Sequence, residues 1–128
     1  MNKELRVPDY LGHILQAIER IERYIEDLVE VGFLNNEMVQ DAVIRNIEII
    51  GEASNKIQCV FPAFAALHDD IPWRVMYTMR NRVSHGYDKV DLEIVWKMIQ
   101  NDLPGLYQQV KDALQGLPRD DKSQGKKP

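Results

Sequence analysis

Apolar residues recur along this chain almost entirely in steps of three and four, and that period is what most limits its fold. The first stretch shows it: Leu11, Ile14, Leu15, Ile18, Ile21, Ile25, Leu28 and Val29 mark one stripe of a helix. No strand-type alternation of apolar and polar residues is sustained anywhere. The predicted fold class is therefore all-α, an antiparallel bundle of four to five helices joined by short turns.

Local signals divide the helices. Pro8 and Asp9 suit the start of the first and Gly32 its end, and the charges between its apolar positions read as a solvated face. Asn35 or Asn36 can cap a second helix with the stripe Val39, Ala42, Val43, Ile47, Ile50, Ala53 and Ile57. Ile44 and Ile49 lie off that stripe, so two faces of this helix expect cover, one from the bundle and one from a second subunit. Residues 58–70 contain Pro62 and no sustained period, which predicts a connector with one short helical turn. Pro72 opens a third helix with Val75, Met76, Met79 and Val83 inward, and Gly86 is placed to stop it. Asp88 or Asp91 starts a fourth, striped by Leu92, Val95, Trp96, Ile99, Leu103, Leu106, Val110 and Leu114 and kinked at Pro104. The reading is one domain over residues 1–117 and a disordered polar tail, PRDDKSQGKKP, over 118–128.

Composition narrows the function. A single cysteine, Cys59, leaves no internal disulfide and no thiolate metal cluster, and it is expected in the core. No apolar run is long enough to span a membrane and none resembles a signal peptide, so the expected location is the cytoplasm. His68 beside Asp69 and Asp70 is too local a cluster to be assigned a metal; the two acids are expected to open the next helix at the positive end of its dipole. A net charge of −4 argues against a broad polyanion-binding surface, so any nucleic-acid site must be a local basic patch.

Residues 71–87, IPWRVMYTMRNRVSHGY, are that patch: they hold three of the sixteen basic residues and none of the twenty acids. The segment stands at +3 while the rest of the chain stands at −7. Arginine presents a planar fork of donors matched to a phosphate, and histidine exchanges protons near neutral pH. Arg80 with His85, and without paired carboxylates for a metal, suits RNA cleavage in which the substrate's own 2′-hydroxyl attacks phosphorus. His85 would act as general base or acid and Arg80 would stabilise the phosphoryl charge, with Asn81, Arg82 and Ser84 supporting. On a straight helix the two residues would sit roughly 140° apart. Either the helix ends before His85, or the site is assembled from two copies of the segment across a dimer axis. The competing reading makes His85 and the arginines a helix cap and solvated charges, and Tyr87 a core aromatic.

The sequence Arg80-Asn81-Arg82-Val83-Ser84-His85-Gly86-Tyr87 resembles the motif of the HEPN domains, and within them the HepT-type toxins. The surrounding IIGEAS, IPW, YDKVDLEIVW and NDLPGL also look like that family, so the similarity covers most of residues 8–115. The resemblance implies a metal-independent endoribonuclease that needs no cofactor, acts as a homodimer, and brings two motifs together in one cleft. Arg80 and His85 carry over as catalytic and Asn81 as a polar helper. It further implies a toxin–antitoxin pair in which a minimal nucleotidyltransferase antitoxin attaches AMP to Tyr87. A non-catalytic, nucleotide- or partner-binding HEPN subunit is the alternative reading, and a purely structural helical dimer is another.

Overall fold

The computed structural model describes residues 5–84 and 91–117, which form seven helices and no strand among the described residues. The helix α1 (Val7–Ile25) starts as expected, with Pro8 in its first turn and the Asp9 carboxylate accepting from the Arg6 backbone N–H at 2.8 Å. Its apolar stripe, Leu11, Ile14, Ile18, Ile21 and Ile25, is buried. It ends seven residues before Gly32, which instead lies inside a short helix α2 (Glu30–Leu34). The reason is Phe33: breaking the chain at extended Val29 turns that ring inward, where it is fully buried with its centroid 5.3 Å from that of Trp96. Gln40 Nε2 donates to the Phe33 carbonyl at 2.8 Å, beside the Asn36 N–H at 3.3 Å, and so helps to satisfy a backbone group at the end of α2.

Asn36 caps α3 (Glu37–Val60), its Oδ1 accepting from the Val39 N–H at 3.1 Å. This 24-residue helix, roughly 36 Å long, is the spine of the molecule. Along one side it packs on α1, and along another on α5 (Trp73–Ser84). Val43, Ile47, Ile50, Ala53 and Ile57 are buried, and Ile44 and Ile49 are half-buried against the same core.

Between α3 and α5 the connector is shorter than its sequence suggested, because α3 runs to Val60 and α4 (Pro62–Leu67) follows at once. Trp73 locks it in place: its Nε1 donates to the carbonyls of Ala65 at 3.3 Å and His68 at 3.2 Å. Asp69 and Asp70 fall before α5, whose first turn contains no acid, so they do not serve its dipole. Gln109 holds the Asp70 carbonyl from the far side of the bundle at 2.8 Å. Cys59 is exposed, with its Sγ 3.6 Å from Asn55 Oδ1, and not in the core; it lies on the outward side of α3's last turn. Val75 is also exposed, because α5 is covered by α3 from one side only and Met76 and Val83 take the inward positions.

Asp91 caps α6 (Leu92–Asn101) by accepting from the N–H groups of Glu93 and Ile94. The stripe that continues past Pro104 is divided at Asp102, and α7 (Leu103–Gln115) begins anew with the proline in its first turn. There a proline costs no hydrogen bond, so the chain breaks cleanly instead of kinking. The helix α7 packs on α1 and α6, joined to α1 by the Tyr107 hydroxyl donating to Glu19 Oε2 at 2.6 Å. Among the described residues, no helix is long and apolar enough to cross a membrane. Gly86, Asp88 and the tail 118–128 lie outside the described residues.

Candidate functional site

Position 51 in α3 has no side chain, and α5 takes up that space. A Cβ built on Gly51 would lie 2.1 Å from Arg80 Cβ, 2.9 Å from Arg80 Cγ and 2.9 Å from the Met76 carbonyl oxygen. The two helices therefore meet nearly backbone to backbone at this point, and the stem of Arg80 starts on the surface of α3. Ser54, fully buried one turn further along, keeps the next contact tight with its Oγ donating to the Ile50 carbonyl at 2.8 Å and lying 3.7 Å from Met76 Sδ.

From that anchor the Arg80 guanidinium spreads between two partners. Its Nη2 lies 3.2 Å from Glu52 Oε2 and its Nη1 donates to Asn81 Oδ1 at 3.0 Å. Its Nε is buried and has no hydrogen-bond partner among the described residues. One turn on, Ser84 Oγ donates to Glu48 Oε2 at 2.7 Å, and Arg45 Nη1 stands 3.8 Å from the other oxygen of the same carboxylate. Two acids four residues apart on α3 thus face two polar residues four apart on α5. The pairing order, Glu48 with Ser84 and Glu52 with Arg80, makes the helices antiparallel.

This places the expected site residues unequally. Arg80 and Ser84 are held against α3 by Glu52 and Glu48, and Asn81 touches Arg80 from the same helix. Arg82 is exposed and stands about 200° around the helix from Arg80, so it does not join them. His85 and Tyr87 lie outside the described residues. The participants that sequence reasoning did not assign are Gly51, Glu48 and Glu52. Their signal was two acids one turn apart, with a glycine beside the second, on a helix whose remaining faces are largely apolar.

Chemically, the arrangement holds a guanidinium by its Nη groups and leaves a quarter of the side chain in solvent. Five N–H donors in a fixed fork are more than two partners can use, so part of the fork is open to an oxyanion. Glu52, half in solvent, neutralises Arg80 at rest and restricts its rotamers. Among the described residues no three His, Cys, Asp or Glu side chains come together as a group that could hold a metal ion. The His68 ring instead packs on Phe64, with centroids 4.4 Å apart.

A larger groove of about 740 Å³ lies on another side of α5, between α3 and the α6–α7 junction. Met76, Met79, Met98, Leu103 and Leu106 give it an apolar lining, and exposed Val75 borders it.

Comparison with known proteins gives a consistent result. The family model for HepT-like ribonucleases, described as "Ribonuclease HepT-like", matches residues 14–113. A protein of Thermococcus cleftensis named as a probable ribonuclease HepT is 44% identical over 98 residues, covering 77% of this chain and 86% of that protein. A Methanocaldococcus jannaschii protein, whose name joins a gamma-glutamylcyclotransferase to a candidate RNase, is 37% identical over 117 residues; these are 91% of this chain but half of that protein. A candidate RNase of Caldanaerobacter subterraneus subsp. tengcongensis is 33% identical over 106 residues, 83% of this chain and 92% of its own. No solved structure matches.

Proposed function

The chain belongs to the HepT-like ribonuclease family, and on that footing we propose that it is a metal-independent endoribonuclease and the toxin of a toxin–antitoxin pair, working as a homodimer in the cytoplasm. The observation that carries this reading is the held guanidinium: Arg80 is oriented by Glu52 and Asn81, on the same helix that leads into His85. In the proposed reaction the 2′-oxygen of one nucleotide bonds to the adjacent phosphorus as the bond from phosphorus to the 5′-oxygen breaks. His85 takes the 2′-hydroxyl proton or delivers one to the leaving 5′-oxygen. The free part of the Arg80 fork meets the charge that grows on the non-bridging oxygens, where a preorganised donor is worth most. A 2′,3′-cyclic phosphate is left. DNA, which has no 2′-hydroxyl, is inert.

Pairing of two copies is supported by the apolar groove and by Val75, exposed at its border on the helix that carries Arg80. Regulation is proposed to run through Tyr87: AMP attached two residues from His85 by a nucleotidyltransferase antitoxin would exclude RNA phosphates by bulk and charge.

The test is cleavage of a mixed RNA pool in excess EDTA by the wild type, Arg80→Ala and His85→Ala. Cutting by the wild type alone, with cyclic ends, is the expected result. Variants that cut as well as the wild type would remove the catalytic assignment, and a wild type inert on every RNA would favour a non-catalytic binding subunit. Intact mass after coexpression with a neighbouring nucleotidyltransferase tests the second part: increments of one AMP, lost in Tyr87→Phe, are expected, and neutralised toxicity with no mass change would refute it.

A further inference from the structure

A second hollow, about 450 Å³, opens between α1 and α3 on the other side of Glu52 from Ser84's end of the site. Tyr10, His13, Arg20 and Lys56 line it over a floor of Ile49 and Ala53, and Glu52 forms one of its walls. Its cations come from two helices. Arg20 lies two turns along α1 from His13, and Lys56 lies one turn along α3 from Glu52, so each helix brings one cation to the hollow. Among the described residues neither Arg20 nor Lys56 has an ion-pair partner. The acid in the wall is engaged elsewhere, since Glu52 Oε2 is held by Arg80 at 3.2 Å. In a chain of net charge −4, two cations that line one cavity without an ion-pair partner among the described residues suit an anion.

The ring lining adds a second requirement. Tyr10 meets His13 edge to face with centroids 5.9 Å apart, and Phe61 backs Tyr10 at 6.3 Å. Aromatic side chains braced in this way present a surface on which a base can stack. The volume lies within the range of small-ligand pockets. Position supplies the last element, because Glu52 belongs both to this hollow and to the Arg80 site, and Lys56 is only about 6 Å further along the helix. A single strand crossing Glu52 can place one phosphate at Arg80 and a neighbouring one between Arg20 and Lys56.

We propose that this hollow is an RNA subsite adjoining the scissile bond, in which Arg20 and Lys56 hold a neighbouring backbone phosphate and Tyr10 with His13 receives its base. The inference rests on the ribonuclease reading for its substrate and is tested separately from it. The probe is a labelled single-stranded 12-mer with 2′-O-methyl riboses, which binds but has no attacking hydroxyl. Its affinity for the full chain is measured against salt concentration by fluorescence anisotropy. Loss of the one phosphate held between Arg20 and Lys56 lowers the slope of log K against log salt on a single strand by about 0.7. That is the expectation for Arg20→Ala with Lys56→Ala, and Arg20→Lys with Lys56→Arg should restore the slope. Lys97→Ala with Lys111→Ala changes the net charge equally on α6 and α7 and serves as the control. A slope and affinity for the Arg20/Lys56 double variant equal to the control's would overturn the subsite. Failure of the wild type to cut any RNA of the mixed pool would instead overturn the ribonuclease reading, and the slopes would still decide the subsite.

Discussion

Replacing Gly51 with alanine tests the contact on which the Arg80 site is built. In the middle of a helix, alanine is ordinarily better than glycine by about 1 kcal/mol, so with open space beside it the substitution would stabilise the protein. Here the new methyl carbon would stand 2.1 Å from Arg80 Cβ, whereas ordinary contact begins at 3.4 Å. Arg80 Cβ is fixed to the α5 backbone and cannot swing aside, and the Met76 carbonyl blocks the next direction at 2.9 Å. The helix α5 must therefore withdraw from α3 by more than an ångström, straining the packing of Met76 and Val83 and the Arg80–Glu52 pair. Overpacking of this kind costs about 1–3 kcal/mol, which outweighs the propensity gain at all but its lower limit. The difference is a net loss of up to about 2 kcal/mol, which in a domain of this length corresponds to a fall in Tm of up to roughly 8 °C. RNA cleavage should fall further than stability, on the order of 100-fold, because a displacement of about 1 Å is enough to spoil catalytic geometry. Thermal denaturation followed by circular dichroism, with cleavage measured well below Tm, reads both. A Gly51→Ala protein that melts at or above the wild-type temperature would refute the close-contact argument, since the sign of the shift alone separates collision from propensity.

Glu52→Ala should leave Tm within a few degrees, since a half-exposed ion pair is worth about 1 kcal/mol or less, yet reduce kcat about tenfold by freeing the Arg80 rotamers. An unchanged kcat would show that Asn81 alone orients the guanidinium. Removing the cap with Asn36→Ala should cost about 1 kcal/mol, measured by urea denaturation, with cleavage unaltered; a midpoint equal to the wild type's would deny that the side chain caps α3. The hydrogen bond from the Tyr107 hydroxyl to Glu19, followed by desolvation and the Glu19 charge, raises the Tyr107 pKa above 10.0. The neutral phenol is thus the form favoured by folding, and the bond's contribution is complete below the ordinary tyrosine pKa and lost as pH rises through the higher folded value. Tyrosine-selective NMR titration should show the Tyr107 signal moving late in the wild type and earlier in Glu19→Gln; identical curves would contradict this.

Much of the fold could be read from the chain because its determinants are local. The three-and-four period identified the inward faces, and Asn36, Asp91 and Pro8 marked helix starts by the geometry of their own peptide units, whereas Pro62 and Pro104, read as part of a connector and as a kink, each open a new helix. The acid-free segment that drew attention to Arg80 was likewise visible without coordinates. A period specifies which residues share a face but not whether a neighbour covers it. Val75 and Cys59 were therefore expected inside and are exposed, and α1 stops at Ile25 because Phe33 finds its place against Trp96, far along the chain. The candidate site divides in the same way. Its basic half lies within a few consecutive residues, while its acidic half, Glu48 and Glu52, comes from positions 36 and 28 residues away, brought in by the helix contact that the absent side chain of Gly51 allows. Sequence alone determined the periodicity, the caps and the reactive residue types; tertiary structure decided which charges are neutralised, because that depends on how closely two helix backbones approach.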